Sequence, residues 1–173
     1  SGDPQCIESI LSHYPESERL RAVSLKSKLG TTVLHCAAES GNFASFKFIL
    51  ALYPESERLH AVSTMAEDGR TVLHFAVLSG KHKSILHALR LLPETERVLA
   101  VCMQDVHGKT VLHEALHSRN HELVQSIITL LSESQRAQAV NMQDREGTTV
   151  FHYIAGSGNL GLIKHTIQSL PES

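Results

Sequence analysis

The chain has 173 residues, a net charge of −2 with histidine counted as neutral, and no block of like charge. This balance argues against nucleic acid or an acidic membrane as the main partner, because both are bound by clustered lysine and arginine. A hydrophobic content of 42% with only five prolines excludes a disordered chain, and no apolar run approaches the ~20 residues that cross a bilayer.

Three cysteines, Cys6, Cys36 and Cys102, lie at unrelated positions, and no Cys-x-x-Cys pair occurs. An odd number of cysteines without paired spacing argues against a disulfide framework and against a zinc knuckle. Reduced thiols are typical of a cytoplasmic setting, which is therefore the expected location.

Two short motifs recur along the chain at a fixed spacing of 39 residues. Pro-Glu-Ser-Glu-Arg begins at Pro15 and Pro54 and returns as PETER, SESQR and a final PES, while Gly-x-Thr-Val-Leu-His or its Phe form begins at Gly30, Gly69, Gly108 and Gly147. A fixed period of this length indicates stacked supersecondary units, each in contact with its neighbours.

The period predicts one continuous array over residues 1–173. Its boundaries are a partial unit at 1–29, repeats at 30–68, 69–107 and 108–146, and a truncated final repeat at 147–173. Because the array starts and stops in mid-repeat, we expect the chain to be a fragment of a longer protein. The apolar residues of the first predicted helix would then lack a neighbour, which predicts fraying or self-association at the ends.

The repeat that begins at Gly69 shows which helices a unit contains. Thr71 precedes an apolar-periodic run as an N-cap would, and Gly80 is placed to end this first helix. A second helix is predicted at about residues 82–92, because its apolar residues recur at helical spacing. The same apolar stripe is found in five units: Ile7, Ile10, Leu11 and Tyr14; Phe46, Ile49, Leu50 and Tyr53; Ile85, Ala88, Leu89 and Leu92; Val124, Ile127, Ile128 and Leu131; Ile163, Thr166, Ile167 and Leu170.

A short third helix is predicted from the segment that begins at Pro93. Proline suits the first turn of a helix, and the glutamates that follow suit the positive end of the helix dipole. Ala100 and Val101 then give the helix an apolar face. Where Ser132 replaces the proline, the start of the helix is expected to be less sharply fixed.

The repeat resembles the ankyrin repeat. The resemblance is carried by Thr-Val-Leu-His at Thr32, Thr71 and Thr110 and Thr-Val-Phe-His at Thr149, followed by a helix end and a second helix. It implies an all-α, ankyrin-like solenoid of stacked helix-turn-helix units that binds other proteins. The match extends over nearly the whole chain.

The departures from the family pattern are specific. Valine stands where the family usually has proline, and the period is 39 residues against about 33 in the family. The added residues fall in the Pro-Glu-Ser-Glu-Arg segment and account for the extra short helix in each repeat. This lengthened form is similar to repeats in effector proteins of intracellular bacteria, which would act in the host cell cytosol after secretion. Arg119 replaces the helix-ending glycine, which predicts that this helix end is strained or differently capped.

Four histidines at one position of the repeat are predicted to be structural: His35, His74, His113 and His152. A neutral imidazole beside a threonine hydroxyl can donate with one nitrogen and accept with the other, and so tie one turn to the next. The resemblance implies the same role. A shared metal ion is not expected, because successive repeats stack at about 8–10 Å.

The segment from His113 to His117 matches the His-Glu-x-x-His pattern of zinc hydrolases, in which the glutamate acts as general base. The structural interpretation of His113 is preferred, because this histidine recurs in every repeat. Glu114 and His117 occupy variable positions, and no third ligand lies at an obvious spacing. We therefore expect no metal, no other cofactor and no catalysis, with the zinc hydrolase kept as an alternative.

In ankyrin-type arrays the exposed side of the first helix and the hairpin tips form the concave face. The residues at these positions that we predict to bind a partner are Phe75, Leu78, Glu114, His117 and Tyr153, with Met65 and His107 at the tips. Exposed apolar and aromatic side chains are typical anchors of an interface; the alternative is that neighbouring first helices cover them in part. The opposite side, with Lys47, Lys83, Arg90 and Gln125, is expected to be solvated.

The sequence thus predicts a monomeric, non-catalytic scaffold that binds another protein along its concave surface. Nucleic acid binding and membrane insertion are not expected. A second hypothesis is a targeting module of a larger enzyme whose catalytic part lies in flanking sequence.

Overall fold

The computed structural model describes residues 4–170, and the side chains of Ile7 and of residues 9–170. The side chain of Cys6 and the closing Pro-Glu-Ser segment lie outside these residues. Within the described range the fold is all-α, as predicted, with two isolated β-bridges, Met65 to Thr71 and Gln143 to Thr149. The helices are α1 Pro4–Ser12, α2 Glu16–Ser24, α3 Val33–Glu39, α4 Phe43–Ala51, α5 Glu55–Ser63, α6 Val72–Leu78, α7 His82–Leu91, α8 Glu94–Val101, α9 Val111–His117, α10 His121–Leu130, α11 Glu133–Val140, α12 Val150–Gly156 and α13 Leu160–Gln168.

The chain divides into two compact units, Ser1–Leu92 and Pro93–Ser173. In the first unit, the first helices α3 and α6 pack on each other, and the second helices α1, α4 and α7 pack in sequence. In the second unit, α9 packs on α12 and α10 packs on α13. Within each unit, first helices therefore contact first helices and second helices contact second helices, as stacked repeats require.

The apolar stripes of the second helices form the core. The stripes of α4, α7 and α10 are buried along their whole length, from Phe46 to Leu131. The stripes of α1 and α13 are only partly covered, since Ile10 is 61% exposed and Ile167 is 54% exposed. Their counterparts Ile49 and Ile128 are fully buried. In the first unit, α4 has second helices packed on both of its sides, α1 and α7, and its stripe is buried completely.

A serine caps the C-terminal end of each first helix, and the residue after this serine has left-handed backbone. Gly41, Gly80 and Gly158 have φ of 65°, 66° and 69°, and Arg119 has φ of 55°. A side chain in this conformation costs roughly 1–2 kcal/mol relative to right-handed backbone. Of the two outcomes predicted at Arg119, the positive φ corresponds to the strained backbone.

The third helices of the repeat are α2, α5, α8 and α11. Pro15, Pro54 and Pro93 are the N-caps of the first three, one position before the predicted first turn. The expectation that Ser132 leaves the start of α11 poorly fixed is wrong. Ser132 forms a capping box in which its backbone N–H donates to Gln135 Oε1 at 3.0 Å, so hydrogen bonds replace the conformational restriction of proline.

The arginine of the Pro-Glu-Ser-Glu-Arg motif links the third helix to two second helices. Arg136 Nε donates to Ile128 O at 3.0 Å, and Arg136 Nη1 donates to Ser169 O at 3.3 Å. Arg97 Nη1 likewise donates to Leu130 O at 3.2 Å, 33 residues ahead. These carbonyls lie at the C-terminal ends of helices, where the usual N–H partner four residues ahead is missing; Ile128 O also accepts from Leu131 N at 3.2 Å. The lengthened part of the repeat therefore joins successive second helices.

The first unit has this link in part. Arg19 Nε donates to Leu11 O at 3.1 Å, which closes the end of α1. Nε of Arg58 is buried and has no partner among the described residues. The role of the arginine was missed from sequence, although its recurrence in every copy of the motif is a signal for it.

Candidate partner-binding surface

A tight hairpin turn precedes each first helix, and in three of the four turns one side-chain oxygen accepts from two backbone N–H groups. Asp144 Oδ1 accepts from the backbone N–H groups of Glu146 and Thr148 at 2.9 and 3.0 Å. Asp105 makes the equivalent pair of bonds, and Ser27 uses its hydroxyl in the same way. Such bonds fix a turn locally, so the tip residues project from a defined backbone.

Hairpins of neighbouring repeats bond to each other along their tips. Arg145 N donates to His107 O at 3.0 Å in the second unit, and Glu67 N donates to Leu29 O at 2.9 Å in the first. Gly108 lies in this contact with φ of 75°, and a Cβ atom there would be 2.7 Å from Arg145 N. Only glycine permits both the backbone conformation and the close approach.

Two of the predicted structural histidines connect one repeat to the next. His35 Nδ1 accepts from Thr32 N at 3.0 Å, and His35 Nε2 lies 3.0 Å from Thr64 O. A carbonyl only accepts, so Nε2 carries the proton. His113 repeats the arrangement, with Nε2 at 3.3 Å from Thr148 O. Both ring nitrogens are thus used within the protein.

The same histidine begins every first helix. In α3, α6, α9 and α12 the N-cap threonine and the histidine three residues later form a capping box. His74 is buried, and its Nδ1 accepts from Thr71 N at 3.2 Å. His152 makes the corresponding bond to Thr149 at 3.3 Å, but its ring is exposed. All four first helices therefore begin with the same threonine–histidine capping box. We call these capping boxes, together with the histidine bonds to the next repeat, the frame.

Burial sets the protonation of two of these rings. Desolvation lowers the pKa of His35 and His113 below the ordinary value of 6.5, and the hydrogen bonds to the Thr64 and Thr148 carbonyls oppose this effect in part. Both rings are neutral at pH 7, which is the state that the donor-acceptor pattern requires.

The His-Glu-x-x-His segment does not present its residues to a common metal ion. Both nitrogens of His113 are bonded to backbone groups, whereas His117 is exposed. Zinc would have to displace a bond that begins the helix or one that joins two repeats. No group of three potential metal ligands occurs among residues 4–170.

Glu114 was predicted to lie on the exposed side of the first helix, but it is only 8% exposed, so this placement is wrong. Its counterparts Phe75 and Tyr153 are half-buried. The position faces neighbouring first helices more than solvent, which a single-helix pattern does not reveal.

The aromatic residues contribute to the stack as well as to the surface. Phe75 packs edge-on against His35 with ring centroids 5.2 Å apart, and Tyr153 packs against His113 at 5.5 Å. The Tyr153 hydroxyl donates to Asp144 Oδ2 at 3.0 Å. Edge-to-face pairs of this kind stabilise packing, so only part of each ring is available to a partner.

The remaining predicted contact residues lie at the surface. Met65 and Leu78 are 38% and 45% exposed, and His107 and His117 are also exposed. The second-helix side is solvated as expected, with the following side chains all exposed: Lys47, Lys83, Arg90 and Gln125.

The first unit has an open groove of about 370 Å³ on its hairpin side. Its apolar lining is Leu29, Ala66 and Phe75, and its charged lining consists of carboxylates, Glu39, Glu67 and Asp68; Thr31, His35 and Cys36 complete it. Asp68 lies 3.7 Å from Arg70 in an ion pair.

The second unit has a wider groove of about 550 Å³ with different chemistry. It is lined by three histidines, Arg119 and Tyr153, without a carboxylate: Leu116, His117, Arg119, His121, Thr148, His152, Tyr153, Gly156 and Ser157. The sequence pattern does not identify His121 and Arg119 as surface residues of this groove. They follow the first helix, and only the packing of two repeats brings them beside His152.

Comparison with known proteins agrees with this architecture. A family model described as ankyrin repeats (3 copies) matches residues 1–94, which is more than half of the chain. A search of curated proteins finds no match. In the described part of the chain, no helix has the length and apolarity needed to cross a bilayer. The family match, together with the stacked helices, shows that the chain belongs to the ankyrin-repeat family.

Proposed function

We propose that this chain is a monomeric, non-catalytic scaffold that binds another protein with its hairpin tips and the outward residues of its first helices. Ankyrin repeats are in general protein-interaction modules. One observation carries the proposal for this chain: the same capping box fixes every first helix, while the exposed residue four positions after the histidine changes completely. It is Glu39, Leu78, His117 and Gly156 in the four repeats.

A constant backbone with changing side chains is typical of a recognition surface. We place the partner contact on Met65 and Leu78 in the first unit and on His107 and His117 in the second, with the exposed parts of Phe75 and Tyr153. Apolar side chains among polar ones provide affinity and selectivity together. Glu114 is omitted because it is nearly buried, and the bonded state of His113 gives no support to a zinc hydrolase.

Site-specific photocrosslinking tests the proposal. A photoreactive amino acid in place of Leu78 should crosslink to one partner protein in cells that contain it. The same amino acid in place of Lys83, which is exposed on the second-helix side, should not. Equal crosslinking from both positions, or crosslinking from Lys83 alone, would show that the assigned surface is wrong.

A further inference from the structure

The first unit exposes apolar side chains on its first helices and hairpins, among them Leu29, Met65 and Leu78. Leu29 is 63% exposed at one hairpin tip and lines the groove. The corresponding residues of the next three hairpins are Asp68, His107 and Glu146, all of them polar. Leu29, Met65 and Leu78 expose apolar area to water. A partner that buries this area gains about 25 cal/mol per Å².

Two of the three carboxylates of the same groove are not paired with a cation among the described residues. Asp68 pairs with Arg70, but Glu39 and Glu67 form no ion pair among the described residues. No lysine or arginine lines the groove. Lys26 lies beside it, with Nζ donating to Met65 O at 3.5 Å.

From these two observations we infer that the groove of the first unit binds a partner segment in which an apolar side chain is flanked by lysine or arginine. The apolar side chain contacts Leu29, Ala66 and Phe75, and the cations pair with Glu39 and Glu67. This inference rests on the proposed function and names the chemistry of the partner at that site.

The carboxylates of the groove disfavour binding of an acidic segment. An acidic peptide placed in this groove would bring carboxylates against Glu39 and Glu67, and like charges at an interface suppress binding. A purely apolar segment would leave the two carboxylates partly desolvated without a partner, which is also unfavourable. A segment that combines apolar and basic residues satisfies both parts of the lining.

A random-peptide library displayed on phage provides the probe. Selection on the intact chain should enrich peptides that contain an apolar residue next to lysine or arginine. For a synthetic peptide of the enriched sequence, Glu39→Gln with Glu67→Gln should weaken binding about tenfold at low salt, on the basis of two exposed ion pairs. Leu29→Ser should weaken it as well. Because these side chains are exposed, melting temperatures should stay unchanged.

Glu122→Gln with Glu133→Gln is the matched control, since both residues are exposed on α10 and α11, outside the groove. This control makes the same change in net charge and should leave binding unaltered. Enrichment of acidic peptides, no enrichment at all, or equal losses in the two double variants would overturn the inference. Crosslinking from Leu78 is independent of these outcomes, so a crosslink to a partner alongside a failed peptide result would reject the basic segment and retain the scaffold.

Discussion

The grooves of the two units overlap at four positions of the repeat, yet they differ in charge. Thr31 and His35 correspond to Thr148 and His152. Glu39 in the first groove corresponds to His117 in the second, and Phe75 corresponds to Tyr153. From these positions the first groove extends toward acidic hairpin tips, and the second extends toward Arg119 and the end of the first helix. The comparison shows that the surface chemistry of this repeat is set independently of the frame that supports it.

The largest expected effect distinguishes two histidines of α9: His113, which belongs to the frame, and His117, which lines the groove of the second unit. His113→Ala should lower the free energy of unfolding by about 2–4 kcal/mol, because it removes a buried ring and leaves backbone groups without partners. His117→Ala, four residues later on the exposed side, should change it by no more than about 0.5 kcal/mol. Chemical denaturation monitored by circular dichroism measures both. Similar losses in the two variants would show that His117 belongs to the frame.

Acid should weaken the frame in both units. The folded chain holds the pKa of His35 and His113 below the ordinary 6.5, so the unfolded chain binds more protons just below that pH. Stability is therefore complete above about pH 6.5 and falls as the pH decreases, by at most about 1.4 kcal/mol per pH unit for each ring. Unfolding free energies between about pH 7.5 and 5 test this expectation.

His113→Gln provides the control for the acid effect. This variant should show a shallower pH slope than the parent chain, because one of the two rings whose pKa is lowered by burial no longer titrates. A slope that is unchanged in His113→Gln would assign the acid sensitivity to other groups.

A third comparison concerns the two aromatic residues. Tyr153→Phe should cost about 0.5–1.5 kcal/mol, because Asp144 loses its hydroxyl donor. Phe75→Tyr should give no corresponding gain, since the residue equivalent to Asp144 in that repeat is Ala66. Thermal denaturation of both variants is the measurement. A clear stabilisation by Phe75→Tyr would mean that its hydroxyl finds another acceptor.

The smallest effect is expected at the end of α9. Arg119→Gly should stabilise the chain by about 0.5–1 kcal/mol, because glycine adopts the left-handed backbone without strain. Gly80→Ala is the reverse change, and a Cβ atom there meets nothing within 4 Å, so its loss reports the backbone alone. If Arg119→Gly destabilises the chain while Gly80→Ala behaves as expected, contacts of the arginine side chain outweigh its backbone strain.

Much of the fold follows from the period. The buried stripe of α7, the N-cap Thr71 and the end at Gly80 were all predictable from one repeat, because helical spacing and capping are local properties. The exact spacing then transfers each element to the other repeats. Only the outer stripes differ, at Ile10 and Ile167, where burial depends on a neighbour.

The surface was less predictable, because it depends on contacts between repeats. Glu114 has the helical phase of an exposed residue, yet it is nearly buried. The ring of Phe75 packs against His35 and also lines the groove. Residues that line one groove, such as Glu39 and Glu67, come from different repeats, so their combined charge emerges only after stacking.

The arginine links bear on how such a chain can change its length. Arg97 and Arg136 each reach 33 residues forward to a backbone carbonyl, at Leu130 and Ser169. Every residue has a carbonyl, so a following repeat can supply the acceptor without any particular side chain, as it does in the second unit. Duplication or deletion of a block of one period in the gene would preserve this link. Recombination can therefore lengthen or shorten the protein while the exposed positions diverge toward new partners.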